Sequence, residues 1–393
     1  MRPRDDRSLA VAYVPTLWLQ RSETFVRLEV RELRRQGVRV EVLALRAGDL
    51  GADGEGAATV MERDRPTAAV ALAAHATWLV RHPGRYRAFL RLRRRLGDGE
   101  ARWRDLAYWA RWIGRRDIDV VHAHFGWSSA TRAWGLATLT GLPWSMTLHA
   151  NDIFGEPDHL EDKIAGADAV VTVCDYNVRT MGALLDPARA VEVVICGVEL
   201  PPDTPTTRDL DVVAVGRLVP KKGFDLLVRA WPTVLRHGPA TLTIVGDGPL
   251  RAELEALAVE LGVRDAVRFT GAVDHDAALG LIARARVFAL PFRIAADGDR
   301  DSMPVVVKEA MARSVPVVST DVVAVPEMVD DRNGWLVPPD DPEALARALV
   351  TALGDPAEAE RRGRAARARV EREFTLTAQV GRLHALFDRL AAR

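Results

Sequence analysis

Lysine is scarce in this sequence. Only Lys163, Lys221, Lys222 and Lys308 stand among 54 basic residues that are otherwise arginine. Cysteine is scarcer still: Cys174 and Cys196 alone exclude a disulfide framework and a cysteine-built zinc cluster, and suit thiols buried in a reducing compartment. Long hydrophobic runs are missing as well. The longest weakly polar stretch, residues 68–80, is interrupted by His75 and Thr77 and falls short of the roughly 20 residues a helix needs to span a bilayer. Residues 1–7 are charged and no apolar stretch follows them, so no secretory leader is expected. A cytoplasmic location is expected, at most at the inner face of the cell membrane. Net charge is absent too: 54 acidic residues balance the 54 basic ones, which argues against nucleic acid as a partner.

What is present has globular proportions. The 393 residues are 48% apolar and 27% charged, and the length suits two domains of about 150–200 residues each. Short β-rich runs alternate with stretches of helical period, the pattern of a parallel sheet with crossover helices. In the first half, strands are expected at 10–14, 38–45, 120–124, 144–148, 169–173 and 191–195. Residues 23–36 carry Phe25, Val26, Leu28 and Leu33 among charges and end at Gly37, which marks a helix and its stop. A proline-rich, acidic stretch reads as a linker at 199–210, between a first domain at 1–198 and a second at 211–373. In the second domain, strands are expected at 211–215, 241–245, 267–270, 287–290 and 317–319, and helices at 224–237, 250–261, 277–283 and 305–313. The fold class expected is α/β, two Rossmann-like domains facing across a cleft, with ligands beyond the carboxyl ends of the strands. Residues 374–393 are expected to form a helix that crosses back to the first domain.

Three segments of the second half carry chemistry. In Val215-Gly-Arg-Leu-Val-Pro-Lys-Lys-Gly-Phe224 a strand ends at Gly216, and a loop bearing Arg217, Lys221 and Lys222 leads into a helix near Gly223. Free N–H groups and the positive end of that helix favour an anion, and the cations add charge-assisted hydrogen bonds, so the loop suits a diphosphate. A solvated basic loop is the alternative. Thr243-Ile-Val-Gly-Asp-Gly-Pro-Leu-Arg251 resembles a dinucleotide fingerprint, but Arg251 holds the place of the third glycine, so alone it specifies no nucleotide. In Asp301-Ser-Met-Pro-Val-Val-Val-Lys-Glu309, Ser302 or Met303 is expected to cap a helix with Pro304 at its first position. Glu309 would then lie about two turns inside, suited to the hydroxyl pair of a ribose. Asp301 and the amides of Ser302 and Met303 suit sugar hydroxyls or phosphate, although Asp301 also reads as a carboxylate placed by the helix dipole.

In this order, and with Phe269-Thr-Gly271, these motifs resemble the retaining glycosyltransferases of the GT-B fold, the large group 1 (GT4) family. In the first half Ser22-Glu-Thr-Phe25, Asp119-Val-Val-His-Ala-His-Phe125 and Leu148-His-Ala-Asn-Asp152 are similar to bacterial exopolysaccharide and colanic-acid-type members. The likeness leaves out about 50–115 and the tail. It implies that Arg217 and Lys222, beside Gly216, clamp the donor diphosphate, and that Glu309 holds the ribose. It also implies that Gly271–Val273 lies beside the base and that His149 lines the cleft near the donor sugar. The activity implied is transfer of a hexosyl group from a nucleotide-diphosphate sugar to a glycan or lipid-linked acceptor in polysaccharide and cell-envelope biosynthesis. No metal and no cofactor beyond the donor are implied, because the departing diphosphate itself takes the acceptor proton. The family usually has Glu at position 301 and Gly at 302; Asp301 is one methylene shorter, and Asp297 or Asp299 could take its place. A GT-B sugar-nucleotide epimerase and a non-catalytic sugar-nucleotide-binding subunit are the competing readings. A Rossmann oxidoreductase is disfavoured by the incomplete glycine turn and the lysines.

Two features lie outside that set. His122 and His124 form an H-x-H at a strand end and share one side of it, but spacing offers no third ligand, so no metal site is expected. Residues 81–116 hold twelve Arg against three acids, interleaved with Tyr86, Phe89, Trp103, Trp109 and Trp112. That stretch is expected to contact an anionic membrane peripherally, against the alternative that its rings pack on the domain.

Overall fold

The computed structural model describes residues 7–18, 23–48, 59–97, 102–155, 157–182, 190–202 and 206–393. Ser22 and residues 203–205 of the expected linker lie outside them. The chain divides into two compact units, Met1–Val173 with Asn177–Ile195 and Gln379–Arg393, and Cys174–Tyr176 with Cys196–Ala378.

The first unit is built on one parallel sheet of β1 (Ala10–Tyr13), β2 (Arg39–Ala44), β3 (Thr59–Val60), β4 (Val120–His124), β5 (Trp144–Leu148), β6 (Ala169–Thr172) and β7 (Val191–Val193). Its order is β3-β2-β1-β4-β5-β6-β7, so the direction of winding reverses between β1 and β4. Central strands such as β1, β4 and β5 are buried at every position, because crossover helices cover both faces of a parallel sheet. Helix α1 (Thr24–Arg35) buries Val26, Val30 and Leu33, one stripe at helical spacing. Between β3 and β4 come α2 (Ala68–Arg81), α3 (Pro83–Leu96) and α4 (Trp103–Gly114); α5 (Ser128–Thr140) follows β4, and α6 (Ala150–Phe154) follows β5.

The aromatic residues of 81–116 face inward. Phe89, Trp103 and Trp109 are buried in the core with Leu106, Ile113 and Leu136, and Trp112 packs against it beneath the Arg116 guanidinium. Rings of this size bury too much apolar area to be left in water when a helical layer can enclose them. The rings therefore belong to the domain, and the surface is left to the arginines. Exposed apolar surface lies one helix earlier, at Val70, Leu72, Leu79 and Val80 of α2.

The second unit repeats the plan with β8 (Leu210–Val215), β9 (Leu242–Val245), β10 (Val267–Gly271), β11 (Ala285–Leu290), β12 (Val317–Thr320) and β13 (Gly334–Val337). The order is β10-β9-β8-β11-β12-β13, again reversing beside the unit's first strand. Helix α7 (Phe224–His237) follows β8, α8 (Arg251–Glu260) follows β9, α9 (His275–Ala283) follows β10 and α10 (Val305–Ala312) follows β11. Helix α9 starts before the expected 277 because Asp274 caps it, its carboxylate accepting from the Ala277 N–H at 2.7 Å. Strands β3 and β13 were not expected; two and four residues long, they give little periodic signal. The final helix α11 (Leu376–Ala391) carries the last residues into the first unit, where Phe387 meets His122 with ring centroids 5.1 Å apart. No helix among the described residues is long and apolar enough to cross a membrane.

Candidate active site

In the second unit, four loops leave the carboxyl edge of β10, β9, β8 and β11, which are neighbours in the sheet. The backbone ties them together: Leu218 N–H donates to Asp247 O at 3.0 Å, Gly246 N–H to Gly271 O at 3.0 Å and Arg293 N–H to Lys221 O at 3.0 Å. Two glycines are demanded by this crowding. Gly223 has φ +66° and a Cβ there would lie 2.0 Å from Pro291 O; Gly246 has φ +133° and its Cβ would lie 2.0 Å from Gly216 O. The missing third glycine is immaterial here, since Arg251 opens α8 and pairs with Glu255 at 3.1 Å.

These loops gather most of the residues singled out by sequence. Lys222 Nζ lies 2.7 Å from Asp301, and Lys221 Nζ lies 2.9 Å from Asp299 and 3.6 Å from Asp301. Burial pushes the Asp301 carboxyl up, but Lys222 and then Lys221 outweigh it and hold it below the usual range. Asp301 is thus an ion-pair partner of the two lysines rather than only a helix-start carboxylate. Arg217 is exposed, next to Gly216 just past the end of β8.

Helix α10 begins later than expected. Pro304 is its N-cap with ψ 124°, so Ser302 and Met303 precede the helix and do not cap it; both are buried. Proline's fixed φ suits either place, but its extended ψ here takes it out of the helix. Glu309 consequently sits little more than one turn inside α10, not two. Burial raises its carboxyl against the opposing pull of His275, Arg313 and Lys308, and His275 Nε2 approaches it at 3.5 Å. Sequence reading missed His275, which no spacing rule connects to Glu309. Val273 is exposed just past Gly271. Lys308, the lysine beside Glu309 in sequence, points into the interior. It is fully buried, its Nζ has no hydrogen-bond partner among the described residues, and its electrostatic neighbours include Cys196 and Cys174.

In the first unit a second cluster forms at the carboxyl ends of β1, β4 and β5. His149 follows β5 and caps α6, and its ring packs against Phe25 and Phe125 with centroids 4.9 and 4.8 Å away. Phe125 adopts φ +73°, a strained conformation for a residue with a Cβ. Asp152 holds the loop by accepting from His149 N–H at 2.7 Å and Gly126 N–H at 2.8 Å. Burial nevertheless lifts its carboxyl to about 7. Lys163, in the helix Leu160–Gly166, donates to Gly126 O at 2.8 Å and is lowered by burial to about 8. Burial also keeps His149 and His122 well below the usual imidazole range, so both rings are neutral.

Glu29 of α1 supplies the third donor that spacing does not offer beside His122 and His124; the three ligand atoms lie within 4.8 Å of one another. The distances fit hydrogen bonds. His124 Nε2 lies 2.8 Å from Glu29 Oε1, while His122 approaches Ser145 Oγ at 2.8 Å and Thr147 Oγ1 at 3.2 Å. Ligands sharing one tetrahedral zinc would stand about 3.3 Å apart, from metal–ligand bonds of about 2.0 Å.

Residues 209–355 match the family described as glycosyl transferases group 1, and residues 22–201 match glycosyltransferase family 4. A glycogen synthase of Mycobacterium tuberculosis (strain CDC 1551 / Oshkosh) is 31% identical over 288 residues, 67% of this chain and 68% of that protein. The chain belongs to the group 1, family 4 glycosyltransferases. The family match runs through 50–115, which the sequence reading had left out of the resemblance. Another relative of this glycosyltransferase, the amylovoran biosynthesis glycosyltransferase AmsK of Erwinia amylovora, is 29% identical over 288 residues, 70% of each chain. Among solved structures, Anabaena HepE in complex with UDP and glucose superposes with a TM-score of 0.69 at 15% identity, covering 97% of this chain and 99% of that one. The fold is therefore GT-B, and the enzyme is a glycosyltransferase.

Proposed function

We propose that this glycosyltransferase moves a hexosyl group, with retention, from a nucleotide-diphosphate sugar to a glycan or lipid-linked acceptor in polysaccharide or cell-envelope biosynthesis. The observation that carries the reading is the convergence of Lys221 and Lys222 with Asp301, with the Lys222 stem against Gly216, on the carboxyl edge of β8. Arg217 and Lys222 would grip the diphosphate, Glu309 the ribose, and the backbone from Ser302 to Met303 the sugar or phosphate. Val273 would lie beside the base, and Asp301 and His149 would meet the donor sugar.

In the reaction the bond from the anomeric carbon to the diphosphate oxygen breaks. The bond to the acceptor oxygen forms on the same face, and the acceptor proton passes to the departing diphosphate. Fixed cations aimed at the charge that develops on that leaving group supply the main stabilisation, about 3–4 kcal/mol per lost contact. A thermal-shift panel of UDP-, GDP-, ADP- and dTDP-sugars identifies the donor by mass action. Lys222→Ala is expected to lower transfer with that donor by about 100-fold or more, while the protein stays folded at the assay temperature with Asp301 left to Lys221 and a lowered unfolding midpoint. Near-normal transfer in that variant would sink the assignment.

The acceptor reading carries a surface with it. Exposed Leu72, Leu79 and Val80 of α2 adjoin the arginines of α3, which suits an anionic bilayer bearing a lipid-linked acceptor. Replacing Leu72 and Leu79 by glutamate should abolish co-sedimentation with phosphatidylglycerol vesicles. Unchanged sedimentation would count against the membrane contact.

A further inference from the structure

We propose that Tyr13, Glu29 and His124 form a buried positioning chain that fixes the tautomer of His149, with the proton on Nε2 and Nδ1 left as an acceptor. The inference deepens the reading of His149 as a sugar-contacting group and rests on it for its functional meaning. The links are Tyr13 Oη to Glu29 Oε1 at 2.7 Å, His124 Nε2 to Glu29 Oε1 at 2.8 Å and His124 Nδ1 to His149 Nε2 at 3.2 Å.

The direction of each hydrogen bond follows from what each group can do. A carboxylate oxygen only accepts, so Tyr13 O–H and His124 Nε2–H both donate to Glu29. With one proton on its ring, His124 has that proton on Nε2 and a bare Nδ1. The bond between the two imidazoles then needs its proton from His149 Nε2. Burial keeps His149 neutral, so this is its single proton and Nδ1 has none. Burial and the nearby Glu29 charge hold the Tyr13 hydroxyl well above its ordinary range, which keeps it a donor.

The ring planes support the same picture. His124 and His149 are nearly coplanar, at an interplanar angle of 21° with centroids 5.5 Å apart, so the two rings meet edge to edge through their nitrogens, and Phe25 and Phe125 flank His149. His124 is 1% exposed and His149 9% exposed, so water does not compete readily for these bonds. Tyr13, Glu29 and His124 come from β1, α1 and β4, three separate elements, and a chain built this way resists rotation of any one ring. A fixed tautomer of this kind presents an acceptor, never a donor, at Nδ1. It would select a sugar hydroxyl over a carbonyl oxygen. Tyr13, Glu29 and His124 are thus positioning residues that act through His149, as outer partners act on a metal-bound imidazole.

The test uses the full-length protein labelled with 15N in histidine and long-range 1H–15N correlation spectra, with no substrate added. The expected result is a bare Nδ1 and a protonated Nε2 at His149 in the wild type. His124→Asn should preserve that tautomer, because the Asn oxygen can take the place of His124 Nδ1 as acceptor. His124→Leu should lose it. A protonated Nδ1 at His149 in the wild type, or an imidazolium at His124, overturns the inference. So does a tautomer unchanged in His124→Leu. If His124→Leu does not fold, the wild type and His124→Asn still decide. Equimolar Zn2+ provides the remaining arm: joint shifts of the His122 and His124 signals with a higher unfolding temperature would make the cluster a metal site and overturn the chain. Since the tautomer is read without donor or acceptor, its failure is separate from failure of the sugar-contact reading, which His149→Ala tests in the transfer assay.

Discussion

Replacing Lys308 by methionine is expected to stabilise the enzyme by about 3 kcal/mol near neutral pH. The ammonium is fully buried in α10, its Nζ has no hydrogen-bond partner among the described residues, and burial lowers its pKa from 10.5 to about 8. The drop from 10.5 to about 8 corresponds to about 3 kcal/mol, at about 1.4 kcal/mol for each tenfold change in proton affinity. The folded pKa lies below the unfolded one, so between about 8 and 10.5 the unfolded chain binds more protons than the native one. Stability must rise with pH across that window, and the full penalty applies below it. Methionine keeps the length of the stem and removes the charge. The gap between Lys308→Met and wild type should be largest at pH 7 and should close as pH rises through 8 towards 10.5. Urea unfolding at pH 7.0, 8.5 and 9.5 measures it, and the second unit's thermal transition should rise by roughly 6–12 °C at the low end of that range. A variant no more stable than wild type at pH 7, or a gap independent of pH, would refute the reasoning.

Gly223→Ala should destabilise the second unit by more than the 1–2 kcal/mol that a left-handed φ costs an alanine, because the new Cβ meets Pro291 O at 2.0 Å. Urea midpoints measure this, and the variant should also lose thermal shift with the donor, since Lys221 and Lys222 lead directly into Gly223. Asp152 behaves oppositely to Lys308 in pH. Its carboxyl is raised by burial from 3.8 to about 7, so its contribution is complete below about 4 and is lost as pH rises through 7, about 4 kcal/mol in all. Asp152→Asn should flatten that part of the wild-type pH dependence while giving up one of the two backbone hydrogen bonds. Equal pH slopes in the two proteins would refute the assignment.

Much of the second unit was legible because its chemistry is local in sequence. Val215 to Gly223 is one strand end, one loop and one helix start, and a reader of residues sees cation, glycine and helix signal together. Glu309 was legible as a carboxylate on the helix after β11 for the same reason. Its depth in α10 was misjudged because proline satisfies both the last residue before a helix and the first one in it, and only ψ separates them. Lys308 shows how little adjacency in sequence says about a side chain's target. Residues next to each other on a helix point about 100° apart, so a lysine beside Glu309 has no reason to share its target. The tryptophans of α4 were open to a surface reading because an amphipathic helix looks alike whether its apolar face meets a membrane or a core. Trp103 and Trp109 were settled by neighbours, Phe89 from α3 and Leu136 from α5, that no window around them contains.

The first unit's cluster shows where sequence reading stops for a stronger reason. His122 and His124 were visible as a pair, and His149 as a member of a motif, yet nothing in their spacing indicates which atoms meet. Glu29 lies 95 residues from His124 and Tyr13 lies 16 residues before Glu29, and each is unremarkable in its own segment, one among the charges of α1 and one aromatic in a buried strand. The parallel order β1-β4-β5 is what brings Tyr13, His124 and His149 to one edge, and α1, the crossover after β1, places Glu29 over it. A largely enclosed carboxylate on that helix costs free energy unless it is paired, so its presence there demands donors. Tyr13 and His124 meet that demand, and the proton His124 commits to Glu29 is the reason its other nitrogen is free to receive one from His149.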